Sequence, residues 1–425
     1  HVILGMSRVL VVRGDCVVTR KGTLSPGWVL IQDGKITDIQ SQAPSEPASF
    51  EAPIVIPGCV DIHTHGLGGA EDVIDYWTNP NFTTERAARD GTTSLLASIL
   101  FSKESPERTT SLFPTLASVI GAQGHGAVIE GVHAEGPLLR DFGAAPVPET
   151  GQSLREFEEL IDAIPGLKVM TIAPSLERDC QRQRLKALLA RGVRPALGHD
   201  HEATETDIAS ALRLSSPSSP MHLTHIYNVC KFHHRSPGLV NFGLLNKLPP
   251  SPEYDGVVPP TVEVIADGHH VGDLALQLLL NSRRPEDICV VSDSVSAPLP
   301  NARIAYLERV MQVDTDGAAV WLEGGGPLAG SCRPVLSSLR RLVHRHGVSL
   351  RDAVMMCCTS PARVANLSHV GTIDVGMRAD MLLLDEGLEL RHTMIGGECV
   401  YTASKRHSPD EQPHETNPKT TKSEP

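Results

Sequence analysis

Two histidines spaced two residues apart are the first sign of chemistry in this chain. His63 and His65 follow the short apolar run at 54–56. Because side chains at i and i+2 of a strand lie on the same face, both imidazoles would point the same way. Two imidazoles so placed can bind one divalent metal such as zinc. A His-x-His pair alone is more often incidental, so a metal site needs further ligands elsewhere in the chain.

Four more potential ligands each stand at the end of an apolar, strand-like run. They are Glu135, His199, His225 and Asp293. Any one of them, taken singly, is more often a cap or a hydrogen-bond partner. Six such side chains at strand ends, in the same topological sense, indicate a ring of nitrogen and oxygen ligands. The sequence therefore predicts a metal centre at one edge of the sheet.

The elements that must position these side chains alternate between strand and helix. Helix-like segments, for example 153–163 and 273–281, separate several of the apolar runs. The apolar runs lie at 54–62, 93–100, 127–134, 168–173, 193–198, 221–226, 261–266 and 288–292. Eight runs in this alternation favour a (β/α)8 TIM-type barrel. A doubly wound sheet is the main alternative, but no Gly-x-Gly-x-x-Gly follows the first strand.

Both ends of the chain read as short β-strands. Residues 8–55 and 371–403 are therefore predicted to pair into one small β-sandwich domain beside a barrel spanning 56–370. Residues 305–326 resemble an inserted hairpin before the last crossover. The polar, proline-bearing segment 404–425 is predicted to be a disordered tail.

Bulk composition excludes some classes of function. The 425 residues carry a formal net charge of −12 with no basic stripe, so nucleic-acid binding is not expected. No apolar stretch reaches the roughly 20 residues that span a bilayer, so no membrane partner is expected. Residues 1–6 show no secretory leader, and nine cysteines lack pairing spacings. The expected location is the cytoplasm, with reduced thiols.

Seven segments together resemble the N-acetylglucosamine-6-phosphate deacetylases of the amidohydrolase superfamily, over about residues 8 to 403. The segments are 57–66, His133-Ala134-Glu135-Gly136-Pro137, Gly198-His199, 224–228, 233–238, 266–270 and Ser292-Asp293-Ser294. The resemblance implies hydrolysis of the acetamide of N-acetylglucosamine 6-phosphate, giving glucosamine 6-phosphate and acetate in amino-sugar catabolism. It also implies a barrel hydrolase that forms a homodimer.

The resemblance assigns metal ligands on the same positions that spacing had suggested. His63, His65, Glu135, His199, His225 and Asp293 would be the ligands, with Glu135 bridging. Because both histidines of the first motif are present, two divalent ions, zinc or iron, are expected. Asp293 would also be the general base that takes a proton from water and returns it to the leaving amine.

Substrate contacts are implied in the same way. Asn228 and the backbone of Val229 would hold the sugar phosphate, and Arg235 would grip phosphate, in some relatives from the neighbouring subunit. His270 would touch the substrate, and Leu328 begins a loop near the acetyl group.

One position departs from the family pattern. In Gly143-Ala144-Ala145-Pro146, Ala145 stands where relatives carry a histidine that contacts the substrate near the scissile amide. Loss of one such donor typically costs roughly 10²–10³ in rate. A slow enzyme, a compensating residue or a different substrate would each account for Ala145.

Two other classes of function remain open at this point. One is an amidohydrolase acting on another N-acyl compound or a cyclic amide, although the fourth strand, 169–173, ends without the lysine of the cyclic-amidase type. The other is a catalytically impaired, metal-binding homologue. Asp293 argues against that homologue, and Ala145 argues for it.

Overall fold

The first described residues form strands of a mixed sheet. A computed structural model describes residues 9–66, 79–122, 124–179, 181–295, 300–306 and 308–404. The first strands are β1 (Leu10–Thr19), β2 (Gly22–Leu24), β3 (Gly27–Gln32), β4 (Lys35–Gln40) and β5 (Phe50–Pro57). Burial alternates along β3, as expected of a strand with one face in a core. β1 pairs antiparallel with β3 and parallel with β5.

Eight parallel strands then form the barrel. They are β6 (Cys59–Thr64), β7 (Thr92–Leu100), β8 (Val128–Glu135), β9 (Leu167–Ile172), β10 (Arg194–Leu197), β11 (His222–Leu223), β12 (Thr261–Ile265) and β13 (Ile288–Val291). They follow one another in sheet order. A parallel bridge from Thr64 to Ser294 and the amide of Asp293 on the carbonyl of His63, 2.9 Å away, join the first strand to the last. The predicted (β/α)8 barrel is confirmed.

The predicted first run, 54–62, divides between two sheets at Gly58. Its first part belongs to β5 and its second part to β6. A Cβ on Gly58 would lie 2.0 Å from Oγ1 of Thr93, so only glycine lets the chain pass so close to the neighbouring strand. This crossing brings His63 to the end of the first barrel strand.

Helices connect the barrel strands on the outside. They are α1 (Pro80–Arg89), α2 (Pro106–Thr110), α3 (Phe113–Val119), α4 (Leu154–Ala163), α5 (Gln183–Ala190), α6 (Glu205–Leu212), α7 (Leu239–Gly243) and α8 (Asp273–Ser282), followed by α9 (Val335–His346), α10 (Leu350–Val354) and α11 (Ser360–Val364). Capping boxes at Ser153 with Glu156 and at Thr204 with Asp207 start α4 and α6.

The predicted hairpin at 305–326 is part of a larger unit. Four antiparallel strands form it: β14 (Arg303–Tyr306), β15 (Arg309–Val313), β16 (Ala319–Leu322) and β17 (Leu328–Ser331). A bridge between Ser294 and Ser331 holds this inserted sheet beside the end of the eighth barrel strand. The insertion therefore borders the edge at which the predicted metal ligands lie.

The last strands return to the first sheet. They are β18 (Met381–Leu384), β19 (Leu390–Ile395) and β20 (Glu398–Thr402), and β18 pairs with β5. The sheet folds over so that the amide of Ile36 reaches the carbonyl of Met377. Its core includes Val29 and Leu383. Both chain ends thus form the small β-unit, as predicted; the division at 56 and 370 stays a prediction. Of the predicted tail, residues 405–425 lie outside the described residues.

The barrel interior is apolar below the ligand edge. Val60, Leu96 and Val291 pack there with residues of the α11 region, among them Ala362 and Val364. Because these apolar side chains fill the interior, the polar groups at the carboxyl ends of the strands lie on the open side of the barrel. Among the described residues, no helix is long and apolar enough to cross a membrane.

Candidate metal centre and substrate cavity

The six predicted ligands converge at the carboxyl end of the barrel. His63 is the penultimate residue of β6 and Glu135 is the last residue of β8, and the other predicted ligands lie in the turns that follow their strands. His199, His225 and Asp293 have φ values of 53°, 22° and 46°, in the left-handed region that non-glycine residues seldom adopt. Such turns redirect side chains towards the barrel axis, at a cost in backbone strain of about 1–3 kcal/mol each.

Glu135 lies at the centre, and each of its oxygens faces a different group. Oε2 is 3.2 Å from Nε2 of His65 and 3.6 Å from Nε2 of His63. Asp293 Oδ1 lies 3.3 Å and 3.6 Å from the same two nitrogens. These four side chains, two imidazoles and two carboxylates, form one half of the centre.

The other oxygen of Glu135 faces two further histidines. Oε1 is 2.8 Å from Nε2 of His199 and 3.1 Å from Nε2 of His225. The two nitrogens are 3.1 Å apart. Glu135 therefore joins two clusters of possible ligand atoms, His63–His65–Glu135 and Glu135–His199–His225. This is the arrangement in which one carboxylate can bridge two ions.

Hydrogen bonds on the far side of the rings set the tautomers. Nδ1 of His199 lies 2.6 Å from the carbonyl of Asp141, which can only accept, so Nδ1 carries the proton. Nδ1 of His63 donates to Oε1 of Glu263 at 2.6 Å. In the neutral rings, Nε2 then offers a lone pair to the centre, as a metal ligand must.

The donor set fits a metal. Nε2 of His63 is buried and has no hydrogen-bond partner in the structure. A buried polar atom without a partner is costly, and a cation between the imidazoles would remove that cost. Four imidazoles with two carboxylates suit a divalent ion such as zinc or iron.

The carboxylates of the centre are anionic. Burial alone would raise the pKa of Glu135, but His63 and His199, when both of their ring nitrogens are protonated, bring it well below its usual range. Burial likewise opposes ionisation of Asp293, and His63 and His65 lower its pKa. A base that stays ionised at neutral pH can accept a proton.

A cavity of about 260 Å³ opens from this centre. Its walls include five of the six predicted ligands, all except His63. Five predicted substrate residues also line it: Ala145, Asn228, Val229, His270 and Leu328. Nδ1 of His270 is held by Oδ2 of Asp267 at 2.8 Å. Five predicted metal ligands and five predicted substrate-binding residues thus line the same cavity.

Arg235 is the one predicted substrate-binding residue that does not line the cavity. It is exposed and absent from the lining residues. Its backbone amide donates to Nδ1 of His233 at 3.2 Å, which shapes the surface loop. The phosphate contact of Arg235, which some relatives make from the neighbouring subunit, stays a prediction.

Sequence analysis missed two side chains at the site. Glu263 on β12 accepts from Nδ1 of His63, from the amide of His225 at 2.9 Å and from Nε2 of His222 at 3.2 Å. A lone carboxylate inside a buried apolar strand needs a partner, and this was the available signal. Arg309, on the inserted sheet, lines the cavity, and no spacing rule pointed to it.

Comparison with known proteins agrees with this geometry. The amidohydrolase family profile matches residues 254–400. N-acetylglucosamine-6-phosphate deacetylase of Mus musculus is 28% identical over 92% of this chain and 95% of its own length. N-acetylgalactosamine-6-phosphate deacetylase of Escherichia coli O157:H7 is 29% identical over 92% and 99%. The structure of N-acetyl-D-glucosamine-6-phosphate deacetylase from Mycobacterium smegmatis superposes with a TM-score of 0.80, at 27% identity over 93% of this chain and 100% of that one. With the barrel and its ring of possible ligands, these matches confirm the predicted resemblance to the N-acetylglucosamine-6-phosphate deacetylases of the amidohydrolase superfamily.

Proposed function

We propose that this chain is a metal-dependent hydrolase that deacetylates N-acetylglucosamine 6-phosphate to glucosamine 6-phosphate and acetate. The proposal rests on one observation: the possible metal ligands grouped around Glu135 lie beside Asp293, and both carboxylates line the cavity. The deacetylases of M. musculus and M. smegmatis, similar over most of the chain, support this substrate class. The cyclic-amide alternative would need a bridging lysine at the carboxyl end of β9, whereas Lys168 lies at the start of that strand, away from the ligand edge.

His63, His65, Glu135, His199, His225 and Asp293 would hold two divalent ions, zinc or iron, with Glu135 shared. Bound there, the ions would lower the pKa of water and polarise the amide carbonyl. The chain itself orients the imidazoles through Glu263 and the carbonyl of Asp141. Because these hydrogen bonds already hold the imidazoles in the free protein, the ligand ring is preorganised before substrate arrives.

Asp293 performs the proton transfers in this proposal. Its side chain is 15% exposed and lines the cavity, so water can reach it. It takes a proton from the attacking water as the oxygen bonds to the acyl carbon. When the C–N bond breaks, the same proton passes to the amine nitrogen, which leaves as the neutral amine. Asp293 regains its ionised form, and the acid product, which keeps the second proton of the water, releases that proton to solvent to give acetate beside the amino sugar.

The rest of the cavity would hold the sugar phosphate. Asn228 and the amide of Val229 would contact phosphate, His270 the sugar, and Leu328 the acetyl group. Val229 has a φ of 50°, in the left-handed region, within the turn that follows the sixth strand. In a homodimer, Arg235 of one subunit would reach the phosphate bound by the other. The free thiols of the described cysteines suit a reducing compartment, and we propose the cytoplasm.

A second candidate substrate is N-acetylgalactosamine 6-phosphate. The E. coli relative named for that sugar is 29% identical, a value similar to those of the glucosamine enzymes. The two sugars differ only in the configuration of one hydroxyl. A hydrogen bond to that hydroxyl therefore decides between them.

The deciding experiment is acetate release by the purified, zinc-loaded protein from both sugar phosphates and from unphosphorylated N-acetylglucosamine. The proposal predicts the highest kcat/KM for N-acetylglucosamine 6-phosphate. A preference for the galactose epimer would select the second candidate. No release from any of the three, with metal bound, would overturn the proposal and favour another N-acyl substrate or a non-catalytic role.

A further inference from the structure

Arg309 brings a positive charge to the cavity from outside the barrel. It begins β15 of the inserted sheet, is partly buried and lines the cavity. Its Nη2 donates to the backbone carbonyl of Ala145 at 3.1 Å. Among the described residues, the guanidinium of Arg309 makes this one hydrogen bond, so most of its five N–H donors are available.

The wall around Arg309 adjoins the catalytic end of the cavity. Ala145 and Ala329 pack with Val295 and Leu100 in one apolar cluster. Leu100 pairs in register with Glu135, and Val295 follows Asp293 by two residues. This apolar wall therefore borders the carboxylates of the centre.

A guanidinium in such a wall interacts strongly with a polar ligand. Water is partly excluded, so a hydrogen bond from the charged donor gains strength. The fork of donors is rigid, and the bond to Ala145 already fixes one of its arms. Little conformational freedom is then lost when another arm binds a substrate oxygen.

We propose that Arg309 is a substrate-binding residue that donates N–H bonds to the acylamino group at the scissile bond. This rests on the proposed deacetylase function. As the acyl carbonyl oxygen gains negative charge during attack, the fixed guanidinium stabilises it more than it stabilises the ground state. Arg309 thereby provides a donor beside Ala145, a residue with no side-chain donor of its own.

The test compares Arg309→Met and Arg309→Lys with Arg303→Met as the matched control. Arg303 lies on the neighbouring strand, is exposed and pairs with Glu323 at 2.7 Å. The substrates are the N-acetyl and N-trifluoroacetyl forms of glucosamine 6-phosphate, together with unphosphorylated N-acetylglucosamine. A trifluoroacetyl carbonyl is already electron-poor, so its hydrolysis depends less on an external donor.

With the acetyl substrate, Arg309→Met is expected to lower kcat about 10²-fold, with a smaller change in KM. The loss should fall to roughly tenfold or less with the trifluoroacetyl substrate, and Arg309→Lys should recover part of the rate. The preference for phosphorylated over unphosphorylated sugar should not change. Arg303→Met should stay within about twofold of the wild type.

Several results would overturn the assignment. Activity of Arg309→Met within about threefold of wild type would show that the guanidinium is not used. Equal losses on both acyl groups, together with a lower Tm, would show a purely structural bond to Ala145. Loss confined to the phosphorylated sugar would place Arg309 at the phosphate. Wild-type protein that hydrolyses no substrate would instead overturn the proposed function, and Arg309 with it.

Discussion

Replacing Glu263 with glutamine should weaken metal binding although Glu263 is not itself a proposed ligand. Its Oε1 accepts two hydrogen bonds, from Nδ1 of His63 at 2.6 Å and from the amide of His225 at 2.9 Å. The charges of His63 and His222 hold the pKa of Glu263 well below its usual range despite its burial. The carboxylate thus orients two ligands and makes the His63 ring a stronger donor.

The magnitude follows from what glutamine retains. Its carbonyl oxygen can keep both bonds at the Oε1 position, while its amide faces Nε2 of His222. His222 can then move its proton to Nδ1, which lies 2.8 Å from Oγ1 of Thr261. Geometry is therefore preserved and the charge is lost. Charge-assisted bonds are roughly twice as strong as neutral ones, a difference of about 1 kcal/mol for each of the two bonds. About 2 kcal/mol corresponds to a 10- to 100-fold weaker zinc affinity.

The assay is zinc competition against a chromogenic chelator, with Tm measured with and without zinc. Glu130→Gln is the matched control, since Glu130 lies on the same strand as Glu135 but faces Arg378, 2.8 Å away. The control should lower Tm and leave zinc affinity within about twofold of wild type. An unchanged zinc Kd for Glu263→Gln would refute the reasoning, as would an equal loss in the control.

Four further predictions test the site and the fold. Asp293→Asn should lower kcat by about 10³-fold or more while the protein retains bound zinc, as measured by atomic absorption; loss of all metal would mean that Asp293 serves mainly as a ligand. Dialysis against a chelator should abolish acetate release and added zinc should restore it, whereas activity that survives complete metal removal would contradict a metal-dependent site. Mixing Asp293→Asn subunits with Arg235→Met subunits should restore activity that neither variant shows alone, because one mixed site then holds both residues; no recovery on subunit exchange would refute action across subunits. Asp207→Asn should lower Tm most above about pH 5: burial would raise the pKa of Asp207, but bonds from Arg178 and Thr204 lower it below 3.8, so this stability is present above the unfolded pKa and disappears as pH falls. A pH-independent difference in Tm would show that the Asp207 charge is not responsible.

Local pattern was sufficient to predict the barrel and to place most of the proposed ligands at one edge of it. Apolar runs of strand length, separated by helix-like segments, predict alternation because each strand buries both faces in a parallel barrel. Side chains directly after such runs must lie at one edge, whatever the distances between strands. That is why His63, Glu135, His199, His225 and Asp293 could be named from their positions alone.

Strand ends were less predictable where the chain changes sheet. The apolar run 54–62 is continuous in sequence, and its division at Gly58 follows from the close approach of Thr93. Thr93 also bonds the carbonyl of Cys59, a contact between residues 34 apart in the chain. The insertion at 303–331 likewise has four strands, where the sequence had predicted one hairpin at 305–326. Pairing between segments decides such cases, and residue types carry little of that information.

By itself, the sequence determined the barrel class, the order of the proposed ligands along the chain and the departure at Ala145, because period and spacing express local geometry. Only the tertiary structure decided that Glu263 supports His63, 200 residues away in the chain. It also decided that Arg309 faces the cavity and that Arg235 does not. These contacts depend on how distant segments pack, and that packing is set by the buried surface of the whole domain rather than by any local run of residues.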